Sequence, residues 1–362
     1  MPRLLELVPD GLFKHSSFNL HPCQRLHILA QKGHQKDCVM SEVPSFADAT
    51  AVKAVSSHTY SAHFVDEWCI GSVPHGGYVT SIFQRVAREH FKTTLSRQKQ
   101  PHMITMHLEF LRRTSTGPAL FTVQDSKLGR QTSTLHITLT QGDRTEVVGY
   151  ITHSNIDKEE GLSFDTKWAL DPPPPPANVQ LLSAGTDPNW SEMRETPFAE
   201  FRKAACRVQW MLPKHGQAVP GSADEWIRLK THGRDGRRER FDDISLGYVS
   251  DMWPQLVENH LNPAAYNPSA SAADVARHRG AGSKFWFPTL LLNLDVKKAL
   301  PADGVDWLFA RVRTKQVRNG RYDLEVVIVD ETGDVVALSH HVAFALSAQR
   351  NLASRRKADA KI

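Results

Sequence analysis

The 362-residue sequence predicts an α+β fold built twice, each half a long amphipathic helix followed by a strongly curved antiparallel sheet. Three observations carry this expectation. Gly129-Arg130 is followed after eleven residues by Gly142-Asp143, and Gly320-Arg321 after eleven residues by Gly333-Asp334, so both pairs share an offset of 191. Equal spacing in equal strand-like context marks one folding unit made twice. A helical stripe followed by four strand-like runs also occurs twice, and a run of five prolines, Pro172 to Pro176, falls between the copies, where a duplication needs a linker.

Residues 1–45 form an N-terminal extension; only Glu6 and Asp10 are acidic before Asp37, and arginine is too sparse for a transit peptide. The first unit spans 46–168. Gly76-Gly77 opens a helix in which Val79, Ile82, Phe83, Val86, Phe91 and Leu95 share one face. Met103 to Leu111, Leu120 to Leu128, Thr132 to Thr140 and Glu146 to His153 then read as strands, rich in β-branched and alternating residues, with Gly142-Asp143 at a hairpin turn. Residues 169–180 are a proline-rich linker, extended and semi-rigid because proline fixes φ and lacks an N–H. In the second unit, 181–348, Leu246, Val249, Trp253, Leu256 and Val257 form a second stripe, which Pro254 must kink or end. Thr289 to Val296, Trp307 to Val317, Arg321 to Asp330 and Val335 to Leu346 repeat the strand series, and 349–362 is a basic tail.

Composition narrows the function classes. Apolar content of 40% and charged content of 23% are those of a globular chain, and no segment has the ~18 uninterrupted apolar residues of a membrane helix. The formal charge of +5 comes largely from Arg228 to Arg240 and Arg350 to Lys361. Neither stretch interleaves aromatic residues, so a nucleic-acid stacking platform is not expected. Cys23, Cys38, Cys69 and Cys206 are widely separated, as in a protein with reduced thiols. The closing triplet Ala360-Lys361-Ile362 is similar to the Ser-Lys-Leu peroxisomal address, so the expected location is the peroxisome, with the cytoplasm as the alternative.

From about Ala47 to Leu346 the chain resembles the acyl-CoA thioesterase II and thioesterase-like superfamily, whose fold is the double hotdog. The resemblance rests on Trp68 to Tyr78 opening the first helix, Ser245 to Asp251 in the second, and Phe287 to Asp295 beginning a strand. It implies two long helices, each wrapped by a curved sheet, and an acyl-CoA or related acyl thioester substrate cleaved to acid and CoA. It implies no cofactor and no metal, and is compatible with further association into homo-oligomers. In the family an aspartate at this helix position acts with a threonine and a glutamine to hold and activate water. By motif these places fall on Asp251, Thr289 and His341. Histidine for glutamine is a departure; histidine can orient water or act as a base near neutral pH. His340 is the alternative, because adjacent strand residues face opposite sides.

On a helical wheel Asp251 lies ~140° from Leu246, off the apolar stripe, where an ordinary surface aspartate would also sit unless that flank faces the other half. The second constellation is His75-Gly76-Gly77-Tyr78. Glycines at a helix start expose N–H groups at the positive end of the dipole, a cradle for an oxyanion or phosphate, as a similar start provides in single-hotdog thioesterases. The plainer role for these glycines is tight helix packing. Basic residues around Arg228 to Arg240 are the expected contacts for CoA phosphates.

Absences exclude other chemistries. There is no Gly-x-Ser-x-Gly elbow, no Walker loop and no paired Cys or His metal spacing. Hotdog hydratases use an Asp followed five positions later by His, a spacing found here only at Asp10 and His15, in the extension. A dehydratase-like protein, a non-hydrolytic binder of acyl or polyketide thioesters, and an interaction scaffold are the alternatives.

Overall fold

The computed structural model describes residues 43–193, 196–271, 273–274 and 285–353. Asp10, His15, Cys23, Cys38 and the Ala360–Ile362 triplet lie outside the described residues. Cys69 and Cys206 are both free thiols. No described helix is long and apolar enough to cross a membrane.

The first half begins with strands β1 (Lys53–Ser56) and β2 (Thr59–Phe64), followed by helix α1 (Gly76–Lys92). Strands β3 (His102–Phe110), β4 (Gly117–Lys127), β5 (Ser133–Gln141) and β6 (Arg144–Ser154) complete its sheet. Helix α2 (Val179–Ala184) follows the linker, then β7 (Trp190–Glu192), β8 (Val208–Pro213) and β9 (Ser222–Leu229). Helix α3 (Ser245–Ser250) precedes β10 (Thr289–Val296), β11 (Leu308–Arg313), β12 (Arg321–Val329) and β13 (Val335–Phe344).

These strands join one antiparallel sheet in the order β1-β2-β4-β5-β6-β3-β10-β13-β12-β11-β9-β8-β7. Reading outward from the β3–β10 junction, β3-β6-β5-β4-β2 on one side mirrors β10-β13-β12-β11-β9 on the other. The two halves therefore share one strand order, which is what a duplication produces. The strand-like runs of the sequence coincide with β3 to β6 and β10 to β13. At the junction Leu292 pairs with Leu108 and Asn293 with His107, whose Nδ1 lies 2.7 Å from Asn293 Oδ1.

Alternation places the core. Along β5 every second residue is buried, with Leu135, Ile137 and Leu139 turned inward in the same apolar cluster as Ile82, Phe83 and Val86 of α1. The same cluster continues through Leu292, Leu308 and Ile328 of the second half, so one core serves both. The Gly-Asp turns are hairpin tips: Gly142 (φ 62°) joins β5 to β6 and Gly333 (φ 84°) joins β12 to β13, a left-handed backbone that glycine adopts without a Cβ penalty.

The expectation of two long helices needs correction. α1 has 17 residues, whereas α3 has six and ends at Ser250. Pro254 cannot donate to a preceding turn and its ring clashes with the helical carbonyl, so the chain leaves helix at Asp251 (φ −111°, ψ 20°) and resumes as a 3₁₀ turn, Pro254–Val257. The linker differs too. It is a strap tied to the outer face of the second sheet, where Trp190 Nε1 donates to the carbonyls of Pro175 and Pro176, both at 3.2 Å, and the Arg311 guanidinium donates to the carbonyl of Pro172. Beneath it Leu182, Trp190, Met211, Trp226, Trp307 and Phe309 form a second, smaller core.

Candidate active site

The break in α3 sets the site. The chain turns out of helix at Asp251, and close packing of α1 on α3 brings that residue to the start of α1. The packing is possible only because glycines meet there: a Cβ on Gly77 would stand 2.7 Å from the Tyr248 carbonyl oxygen, and one on Gly247 would stand 2.9 Å from the Ser81 nitrogen. The flank of α3 that the wheel places off the apolar stripe thus faces the other half, and Asp251 is only 3% exposed.

Its carboxylate is held from two sides. Oδ2 accepts a 2.8 Å hydrogen bond from the Gly77 N–H, and Oδ1 accepts one of 3.2 Å from Thr289 Oγ1. His75 Nε2 is 3.0 Å from the Asp251 main-chain oxygen, to which it donates, and 3.6 Å from Oδ2. Gly76 leaves room for the carboxylate, since a Cβ there would lie 2.6 Å from Oδ2. Burial raises the carboxyl pKa, but nearby His75, the contact with His341 and the Gly77 N–H together outweigh it, and Asp251 is held below its ordinary value. His75 moves down, chiefly through burial, so its imidazole is neutral near pH 7 and donates through Nε2.

His341 stands behind this carboxylate, fully buried, with Nδ1 3.4 Å from Asp251 Oδ1. Its tautomer follows from its neighbours. Ser339 Oγ has one hydrogen, which it donates to the Asn293 carbonyl at 2.7 Å, so toward His341 Nε2 at 2.8 Å it can only accept. Nε2 therefore carries a hydrogen, and the ring is held with Nδ1 toward Asp251.

The fold thus brings Asp251, Thr289, His341, His75, Gly76 and Gly77 together from four separate places in the sequence. His340 points to the exposed face, and the strand register leaves the interior place to His341. Tyr78 is not brought to this cluster: its ring packs against Phe64 and Trp68 in the first half's core, and its hydroxyl donates to the Ala49 carbonyl at 2.8 Å. Gly77 is in the cluster, but its N–H is taken by Asp251 rather than left for a substrate.

A cleft of about 250 Å³ opens onto Asp251, Thr289, His75 and Gly76. Its walls are largely apolar and come from both halves, with Ile70, Val73 and Phe110 facing Met252, Phe287 and Leu346. Arg112 and Arg113 line it too, and Arg113 donates to the carbonyls of Arg350, Asn351 and Ala353. The stretch from Arg228 to Arg240 does not line it. There Arg228 stacks over Trp307 at 4.6 Å, while Arg234 pairs with Asp48 and Arg240 with Asp303. Sequence reading missed the serine behind His341, which only the fold of β13 against β10 reveals, and the apolar walls, which carry no motif.

A double hotdog with one buried carboxylate, Asp251, lining an apolar cleft is the architecture of a thioesterase-like protein. Residues 64–154 match the model of the acyl-CoA thioesterase N-terminal domain and 172–345 that of the acyl-CoA thioesterase C-terminal domain. The chain belongs to this acyl-CoA thioesterase family. It is similar to the thioesterase-like protein TwmA of Talaromyces wortmannii, 34% identical over 334 residues that cover 84% of this chain and 93% of that one. Among solved structures it resembles a putative thioesterase II from Thermobifida fusca (TM-score 0.61, 21% identity, covering 84% of this chain and 99% of the other). It also resembles acyl-CoA thioesterase II TesB2 from Mycobacterium marinum (TM-score 0.55, 14% identity, 84% and 98% covered).

Proposed function

We propose that the protein hydrolyses an acyl-CoA or a related acyl thioester, with Asp251 as the group that activates water. The observation that carries this reading is a buried carboxylate kept ionised by His75, His341 and the Gly77 N–H, facing an apolar cleft with a hydroxyl, Thr289, at 3.2 Å. Water held by Asp251 and Thr289 attacks the thioester carbonyl carbon and gives its proton to Asp251, backed by His341. Negative charge on the carbonyl oxygen is met by the positive end of α1 at Gly76. The tetrahedral adduct collapses, the C–S bond breaks, and the CoA sulfur leaves with the proton held by the Asp251–His341 pair. The apolar walls take the acyl chain and Arg112, on the rim, meets the phosphates of the CoA end.

A panel of acyl-CoA esters of different chain lengths, followed by thiol release, tests this directly. Turnover of at least one ester is expected, and Asp251→Asn should lower kcat by about 10²- to 10⁴-fold, the usual contribution of a general base. Full activity in Asp251→Asn, or tight ester binding by the wild type without any thiol release, would overturn it.

A further inference from the structure

Three donor side chains converge at the opposite end of α1. His58, in the turn between β1 and β2, places Nε2 3.4 Å from Asp125 Oδ2; His90, in the last turn of α1, places Nε2 2.9 Å from Asp125 Oδ1. One ligand atom from each of the three lies within 4.8 Å of the others. Zinc bonds of about 2.0–2.2 Å at tetrahedral angles put ligand atoms about 3.3 Å apart, and the two measured separations bracket that value.

The outer nitrogens are arranged to match. His58 Nδ1 is 2.9 Å from Ser57 Oγ and His90 Nδ1 is 3.1 Å from Tyr60 Oη. With no ion bound each Nε2–H donates to Asp125; when an ion takes the Nε2 lone pairs, both hydroxyl oxygens can accept an Nδ1–H, the second contact that metal-bound histidines characteristically make. His90 is fully buried and cannot swing away, whereas the His58 and Asp125 side chains are 43% and 22% exposed and leave a path for an ion from solvent.

We infer that His58, His90 and Asp125 form a binding site for a divalent transition-metal ion of the zinc type, with a fourth position open to water. Two imidazoles and one carboxylate suit such an ion better than they suit calcium or magnesium, which take oxygen ligands. The site lies about 21 Å along α1 from Gly76, at 1.5 Å per residue over fourteen residues, too far to touch the Asp251 cluster. Its effect is mechanical. β1 is an edge strand with every residue exposed, and the ion ties its turn to the helix and to β4. Separations of 32 and 35 residues between the ligands explain why no spacing motif announces them, and why the sequence leads to the expectation of no metal.

The experiment uses tag-free, chelator-treated full-length protein titrated with Zn²⁺ by calorimetry, with melting temperature read in parallel and the visible spectrum of Co²⁺ as a report on geometry. One equivalent per chain, a melting temperature raised by Zn²⁺, and tetrahedral Co²⁺ bands are expected, all lost in His58→Ala and in Asp125→Asn. His58 sits in an exposed turn, so His58→Ala tests binding without opening the core. Equal stoichiometry and equal thermal shift in wild type and His58→Ala would show binding at other surface histidines only and overturn the site; so would no binding at all. Neither outcome touches the thioesterase reading, because the two sites share no residue.

Discussion

The two halves carry a buried histidine on corresponding strands, His153 on β6 and His341 on β13, and put them to different uses. His153 stacks on Phe91 with ring centroids 4.2 Å apart and its Nδ1 lies 3.0 Å from the Gln100 carbonyl, so it serves only the packing of α1. His341 has in front of it not an aromatic ring but Asp251, which the broken α3 delivers. The difference lies in the helices. α1 runs unbroken past its sheet, while Pro254 ends α3 early and the residue just past its end, Asp251, enters the junction. Duplication supplied the scaffold twice, and one proline made the halves unequal.

Glycines break this comparison most forcefully. Gly142 at the β5–β6 hairpin has open space around a notional Cβ, so Gly142→Ala carries only the strain of φ 62°, about 1 kcal/mol. Gly77 faces main-chain oxygens at 2.7 and 2.8 Å that cannot retreat without parting the helices. Gly77→Ala should cost about 3 kcal/mol of unfolding free energy, as overpacking does, and abolish turnover because parting the helices draws the residue-77 N–H away from Asp251. Chemical denaturation of both variants side by side checks the contrast. Equal costs would mean that the helix contact is looser than it stands here.

Next is the pH dependence of His153. Burial pushes it down to about 3 from an unfolded value near 6.5. Below pH 6.5 the unfolded chain therefore binds a proton that the folded chain does not. Stability is complete above pH 6.5 and falls as the pH drops toward 3, by about 1.4 kcal/mol per unit for this one group, or about 2 kcal/mol at pH 5. His75, also lowered by burial, adds to the same slope. His153→Gln keeps a donor for the Gln100 carbonyl and removes the titration, so urea midpoints at pH 6.5 and pH 5 should move closer together while turnover at neutral pH is unchanged.

How far the sequence carries depends on whether a feature is local. Strands β3 to β6 and β10 to β13 were legible because alternation and Gly-Asp turns are written within a few residues. β1, β2 and β7 to β9 were not: Val208–Pro213 is buried on both faces and has no alternation to read, since the linker strap covers its outer side. Asp251, Thr289 and His341 were placed by motif resemblance, and wheel geometry alone would have left Asp251 at the surface. Only the glycine-to-glycine contact between α1 and α3, a tertiary fact, buries it. The same contact explains why the oxyanion role expected of Gly77 became a role in holding Asp251.

The smallest effect is the sharpest test of the second half's chemistry. Ser339 does not line the cleft; it accepts the Nε2–H of His341 and so holds the ring with Nδ1 toward Asp251. Ser339→Ala removes that constraint and frees the imidazole to turn away from Asp251. kcat should fall about tenfold, roughly 1.4 kcal/mol of barrier, with KM unchanged, and Ser339→Thr, which restores the hydroxyl, should recover the rate. A purely structural serine would lower thermal stability and leave kcat in the folded enzyme intact. His341→Gln, which has no imidazole to orient, should make the protein indifferent to Ser339→Ala, so a double-mutant cycle between the two positions separates the role of the imidazole from packing. If the two losses simply add, His341 does not act through Ser339, and the two buried histidines are more alike than their surroundings suggest.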